Sequence, residues 1–131
     1  MPLRVELKPF ERIVIGETVI VNSNTRARFL VEGDAPILRE RDTVTAETAD
    51  TPAKRLYLCV QTMYLKNDAI RYRASYGACI NELRRVTPDA APTAEAVDRH
   101  VASGALYKAL KEIRALIQRE GGVPAPAEAS A

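Results

Sequence analysis

The chain reads as an α+β protein: an N-terminal antiparallel β-meander of four or five strands packed with a C-terminal bundle of three or four helices. Two observations predict this. Over residues 3–42 apolar side chains either alternate with polar ones or run as β-branched clusters between turn residues. After Thr43 alanine becomes frequent and apolar residues recur at helical spacing.

In the first segment Leu3, Val5 and Leu7 alternate with Arg4, Glu6 and Lys8, which places the apolar set on one face of a period-two ribbon. Residues 11–15 and 18–21 follow, rich in Ile and Val and separated by Gly16-Glu17, and read as consecutive strands. Residues 22–25, Asn-Ser-Asn-Thr, form a turn in which either asparagine suits a left-handed conformation, and residues 26–32 return as a partner strand. Gly33 to Pro36 make the next turn, and Ile37-Leu38 open a short segment that ends in the charges of residues 39–42.

Thr51-Pro52 is a helix start, the hydroxyl capping and the proline taking a position where its missing N–H costs nothing. Leu56, Val60 and Met63 give residues 52–66 a buried stripe. Asn67-Asp68 break the chain, and a second helix over 69–86 is expected to turn Ile70, Ala74, Gly77, Ile80 and Leu83 toward a partner. Thr93 is expected to cap a short helix over 94–102. The last helix, 105–120, carries Leu106, Leu110, Ile113 and Ile117 along one edge and ends at Gly121-Gly122. The organisation expected is a β sub-structure over 1–44, a helical one over 45–122 sharing its core, and a disordered tail over 123–131.

Composition narrows the function. No run of about 18 uncharged apolar residues is present, and the N-terminus lacks the order of a secretory signal, so a cytoplasmic protein that spans no membrane is expected. Cys59 and Cys79 have no nearby Cys or His partner and read as reduced core thiols. His100 lacks a nucleophile in any recognisable motif, Gly16 and Gly33 are isolated turn glycines, and Glu40/Asp42 carry no metal spacing. The expectation is a non-enzymatic protein with no cofactor and no metal.

Net charge is +2, and the first 44 residues hold seven basic and seven acidic side chains, so any basic face must come from folding. The candidates are Arg4, Lys8, Arg12, Arg26, Arg28, Arg39 and Arg41. Strand geometry puts Arg26 with Arg28, and Arg4 with Lys8, on shared faces, where a row of cations would meet the phosphates of RNA. The competing reading is that Arg and Glu alternate on any solvated sheet face. The five tyrosines would stack on bases if exposed, but their helical spacing assigns Tyr57, Tyr64, Tyr72 and Tyr76 mainly to packing.

Four segments in order carry a resemblance: residues 2–12 (Pro-Leu-Arg-Val-Glu-Leu-Lys-Pro-Phe-Glu-Arg), residues 29–42, residues 50–58 (Asp-Thr-Pro-Ala-Lys-Arg-Leu-Tyr-Leu) and residues 107–111. Together they resemble the FlbT family of flagellar biosynthesis repressors; Ser23 stands where a glycine is usual, and Leu106 where an aromatic often precedes the tyrosine. The resemblance implies post-transcriptional control of flagellin, through binding the 5′ untranslated region of flagellin mRNA and promoting its decay in some bacteria while supporting expression in others. Residues 15–21 and 33–40 also look like the carbon-storage-regulator RNA-binding proteins, a likeness that ranks Arg4, Arg12, Arg39 and Arg41 first among the contacts. The rival partner is a protein: flagellin, its chaperone or another flagellar regulator, bound by the helical half. An exposed meander edge would also allow a homodimer.

Overall fold

A computed structural model of the chain describes residues 3–121; the tail expected to be disordered, 123–131, lies outside them. Two compact units are distinguished. The first comprises the chain up to Thr43 together with Leu65–Asn67, and the second Val44–Tyr64 and the chain from Asp68 onward.

The first unit holds the strands β1 (Leu3–Leu7), β2 (Arg12–Ile15), β3 (Thr18–Val21), β4 (Ala27–Val31) and β5 (Ile37–Arg39), all antiparallel. They are divided between two sheets instead of following one another in a single meander. β1 pairs with β4, Val5 opposite Phe29, while β2 sits between β3 and β5. The reason lies in the alternation: Val5 and Leu7 of β1, Ile13 of β2, and Phe29, Val31 and Ile37 all turn to one small core, which two sheets enclose better than one flat sheet. Gly16, at φ 60°, takes the first place of the two-residue turn joining β2 to β3, a conformation open to glycine without strain.

Neither asparagine of the 22–25 turn is left-handed. Asn22 serves through its side chain, its Nδ2 donating to the carbonyls of Leu7 (3.2 Å), Lys8 (2.8 Å) and Thr25 (2.8 Å). Those three bonds satisfy carbonyls that leave the ladder, so the turn is closed by a side chain and needs no positive φ.

The second unit holds most of the helices α1 (Pro52–Lys66), α2 (Arg73–Val86), α3 (Ala91–Ala102) and α4 (Leu106–Arg119). Thr51 caps α1 as expected, its Oγ1 accepting the Lys54 N–H at 3.1 Å. Leu56, Val60 and Met63 are buried, and so are Ala109, Leu110, Ile113 and Ile117 on α4. Gln61, buried on α1, exchanges two hydrogen bonds with the backbone of Val44 (2.8 and 3.0 Å), so its amide is satisfied at both ends.

α2 begins later than its pattern predicts. Asn67 is left-handed (φ 53°), Asp68 Oδ1 accepts the Arg71 N–H at 3.2 Å, and two further turns precede Arg73. Ile70 therefore stands outside the helix, 79% exposed, and the buried edge is Tyr76, Ile80 and Leu83, with Ala74 outward. Thr93 is likewise not a cap. A 3-10 turn over Pro88–Ala90 leads into α3 three residues early, leaving Thr93 buried inside the helix, where its hydroxyl accepts from Arg119 Nη2 at 3.1 Å.

Arg55 of α1 grips Glu82 of α2 through two parallel bonds, Nε to Oε1 at 3.1 Å and Nη2 to Oε2 at 2.8 Å. The Arg55 hydrogen bonds hold the Glu82 carboxyl below its usual pKa of 4.5. A depressed carboxylate stabilises the fold above its unfolded pKa and ceases to as pH falls through its folded one. Glu82→Gln should thus lower the thermal midpoint near neutrality and converge with the wild type as pH falls below 4.5, so its midpoint depends less on pH in a series of melts.

Candidate nucleic-acid interface

A concavity in the first unit is lined by residues of β1, β4 and β5. On β1 the residues alternating with Val5 and Leu7 point away from the core, as do Arg28 and Leu30 on β4, and the register sets Arg4 opposite Leu30 and Glu6 opposite Arg28. With Arg39 from the end of β5, these residues line a groove of about 640 Å³ that also reaches Val5 and Phe29. Its lining combines three arginines and Glu6 with the apolar Val5, Phe29 and Leu30.

Glu6 organises that lining. Its Oε2 accepts from Arg26 Nη1 at 2.8 Å and lies 3.6 Å from Arg28 Nε, while its backbone carbonyl accepts from Arg39 Nη1 at 3.1 Å. Arg39 also stands 3.4 Å from Glu11 Oε2. The hydrogen bond from Arg26, and the charge of Arg26 and Arg28, hold the Glu6 carboxyl below the usual carboxylate range, so it is ionised at neutral pH. Four guanidiniums thus face two carboxylates around the groove, and a positive excess remains.

The seven expected residues do not form one bare row. Arg4, Arg28 and Arg39 line the groove, and Arg26 joins them through Glu6. Arg12, on β2, stands 3.7 Å from Glu40, while Lys8, just after β1, and Arg41, in a 3-10 turn over Glu40–Asp42, are exposed and outside the groove lining. Arg12, Arg26, Arg28 and Arg39 each meet a carboxylate, whereas Arg4, Lys8 and Arg41 have no side-chain ion pair among the described residues. Ion pairs as exposed as those of Arg26 and Arg28 are screened by solvent and hold their side chains only weakly.

Elsewhere the chemistry is structural. Burial, and Cys79 beside it, push the Cys59 thiol up to about 11, which keeps it protonated and a poor nucleophile at neutral pH. Tyr57 and Tyr76 are buried: the Tyr57 hydroxyl accepts from Arg114 Nη2 at 3.0 Å, and the Tyr76 hydroxyl donates to Asp98, which Arg84 Nη2 also reaches at 2.6 Å. Tyr64 packs against the exposed Tyr107, ring centroids 5.8 Å apart. His100 Nε2 stands 3.8 Å from Glu112. Among the described residues no group of three or more His, Cys, Asp or Glu could hold a metal, and no helix is long and apolar enough to cross a membrane.

The family model described as Flagellar protein FlbT matches residues 3–123, both units included. The chain belongs to the FlbT family. Among FlbT relatives, the probable flagellum biosynthesis repressor protein FlbT of Rhodopseudomonas palustris (strain TIE-1) is 62% identical over 120 residues, which cover 92% of this chain and 95% of that protein. A Bradyrhizobium diazoefficiens relative, probable flagellum biosynthesis repressor protein FlbT 1, is 46% identical over 121 residues (92% and 83% of the two chains). The flagellum biosynthesis repressor protein FlbT of Caulobacter vibrioides (strain ATCC 19089) is 32% identical over 123 residues (92% and 87%). No solved structure matches the chain.

Two features of this FlbT groove escaped sequence reading. Glu6 is the hub of the arginines, and Leu30, 57% exposed, supplies apolar surface beside Arg4. Period-two alternation places Glu6 on the face of Arg4, which is the signal that could have found it; nothing local pairs Leu30 with β1.

Proposed function

We propose that this FlbT family member is a non-catalytic, cytoplasmic regulator of flagellum biogenesis that binds the 5′ untranslated region of flagellin mRNA and represses expression by promoting decay. The relatives' names, flagellum biosynthesis repressor, support the regulatory half of this reading. The observation that carries the RNA half is the groove lined by β1, β4 and β5, where Arg4, Arg28 and Arg39 supply planar donors and Val5, Phe29 and Leu30 apolar surface. Phosphates take the donors and unpaired bases the apolar surface, a division usual in single-strand recognition. Docking there changes access of ribosomes or nucleases to the leader without any bond being cut by the protein.

One observation favours a protein partner as a second reading. β3 is an edge strand whose Val19, Ile20 and Val21 are all 40–52% exposed, and such an edge accepts a strand or apolar face from flagellin, its chaperone, a flagellar regulator or a second copy of this chain. Crosslinking in cells, followed by identification of what is attached with and without nuclease, separates the two. Recovery of flagellin leader RNA is the expected result; a flagellin or regulator complex that survives nuclease, with no leader attached, would replace the RNA reading.

A further inference from the structure

We infer that Phe10 is a platform on which an unpaired base of the bound RNA stacks; this rests on the RNA-binding reading above. Lys8 to Glu11 form a tight turn in which the Lys8 carbonyl accepts the Glu11 N–H at 3.0 Å, with Pro9 and Phe10 at its centre. Phe10 takes the position that needs a positive φ, at 63°, where glycine or asparagine is normally found. A bulky aromatic in that conformation is a backbone outlier, and its strain is not offset by burial, because the side chain is 68% exposed.

The turn is nevertheless held firmly. The Phe10 N–H donates to the Ser23 carbonyl at 2.9 Å, and the Lys8 N–H donates to Glu11 Oε1 at 2.9 Å. The solvent-facing ring on this strained turn adds nothing to the core cluster of this unit, in which it takes no part. Its surroundings name the ligand. Lys8 and Arg12 flank it in the chain, both exposed, and Glu11 ties the turn to Arg39 of the groove at 3.4 Å. An exposed aromatic with basic residues two positions to either side in the chain fits a base with its neighbouring phosphates, since base-aromatic stacking is tolerant of sequence and the cations supply the charge match. An apolar protein anchor would need hydrophobic surface around the ring, whereas the exposed residues two positions to either side of Phe10 are Lys8 and Arg12.

The test uses the full chain and two probes of equal length, a mixed-sequence single-stranded oligoribonucleotide and an abasic ribose-phosphate oligomer, with affinities read by fluorescence anisotropy. Phe10→Ala is expected to weaken the base-bearing probe about ten-fold and leave the abasic one unchanged. Phe10→Trp should retain binding. Phe10→Gly should raise the thermal midpoint by relieving the turn while still losing affinity, a combination that a structural role for the ring would not produce. Wild-type binding that Phe10→Ala leaves intact, or weakens equally for both probes, overturns this inference and spares the groove; so does loss of flagellin capture with RNA affinity unchanged. Wild-type protein that binds neither probe overturns the RNA-binding reading and this inference together.

Discussion

Replacing Arg4, Arg28 and Arg39 together by alanine should abolish most of the affinity for flagellin leader RNA and sharply reduce its dependence on salt. Each phosphate held on a single strand contributes about −0.7 to the slope of log affinity against log salt, so three contacts give a slope of about −2. These three contacts alone make wild-type affinity fall about twenty-fold between about 50 and about 200 mM salt, a share of the fall that the triple variant loses. Arg4 and Arg28 are exposed, so their single alanine variants fold normally and separate binding from stability; each should reduce the slope by about 0.7. Arg39 is half-buried and bonded to the Glu6 carbonyl, so its variant is compared with Arg39→Lys, which keeps the charge and loses the fork. A triple variant with an unaltered salt slope would place the RNA elsewhere on the molecule.

The largest effect on stability should come from Leu110→Ala. Leu110 is fully buried on α4 among Ala109, Ile113 and Ile117, in the helix whose apolar edge is the most regular in the chain. Truncating a buried leucine removes its transfer free energy and leaves a cavity, together about 2–5 kcal/mol. Typical total stabilities are about 5–15 kcal/mol, so the urea midpoint followed by helical circular dichroism should drop sharply. Lys111→Ala, one position on and exposed, is the control and should shift the free energy by less than about 0.5 kcal/mol. A Leu110→Ala midpoint indistinguishable from that of Lys111→Ala would remove Leu110 from the core.

The elements were legible wherever a local rule decides them. Thr51 as the cap of α1 and Gly16 in the β2–β3 turn follow from short-range chemistry, and α4 is bounded within one residue of its periodic pattern. The misread places are those where a local preference has two outlets. Asn22 closes its turn through the side-chain amide instead of a left-handed backbone, and Thr93 was free to be drawn inside α3 because a 3-10 turn already served as its entry. Ile70 fitted the helical rhythm but lies in a turn that Asn67 and Asp68 set, so the inward face of α2 moved to Tyr76, Ile80 and Leu83.

The candidate site divides in the same way. Alternation along a strand is a property of the backbone, so the outward placement of Arg4 and Arg28 could be read directly from the residues. That Arg4, Arg28 and Arg39 line one groove while Arg12 and Arg41 stand outside it depends on β1 pairing with β4 and β2 with β5.

By itself the amino-acid sequence determined the α+β class, the order of the elements, the faces of the strands and the family, because each rests on residue type and spacing within a few positions or on similarity along the whole chain. Only the tertiary structure decided that the strands split into two sheets, that Glu6 sits among the arginines, and that Phe10 is held outward in a strained turn. Those features join residues up to about thirty positions apart through hydrogen bonds and ion pairs, and no local pattern specifies which distant partner a polar group will find.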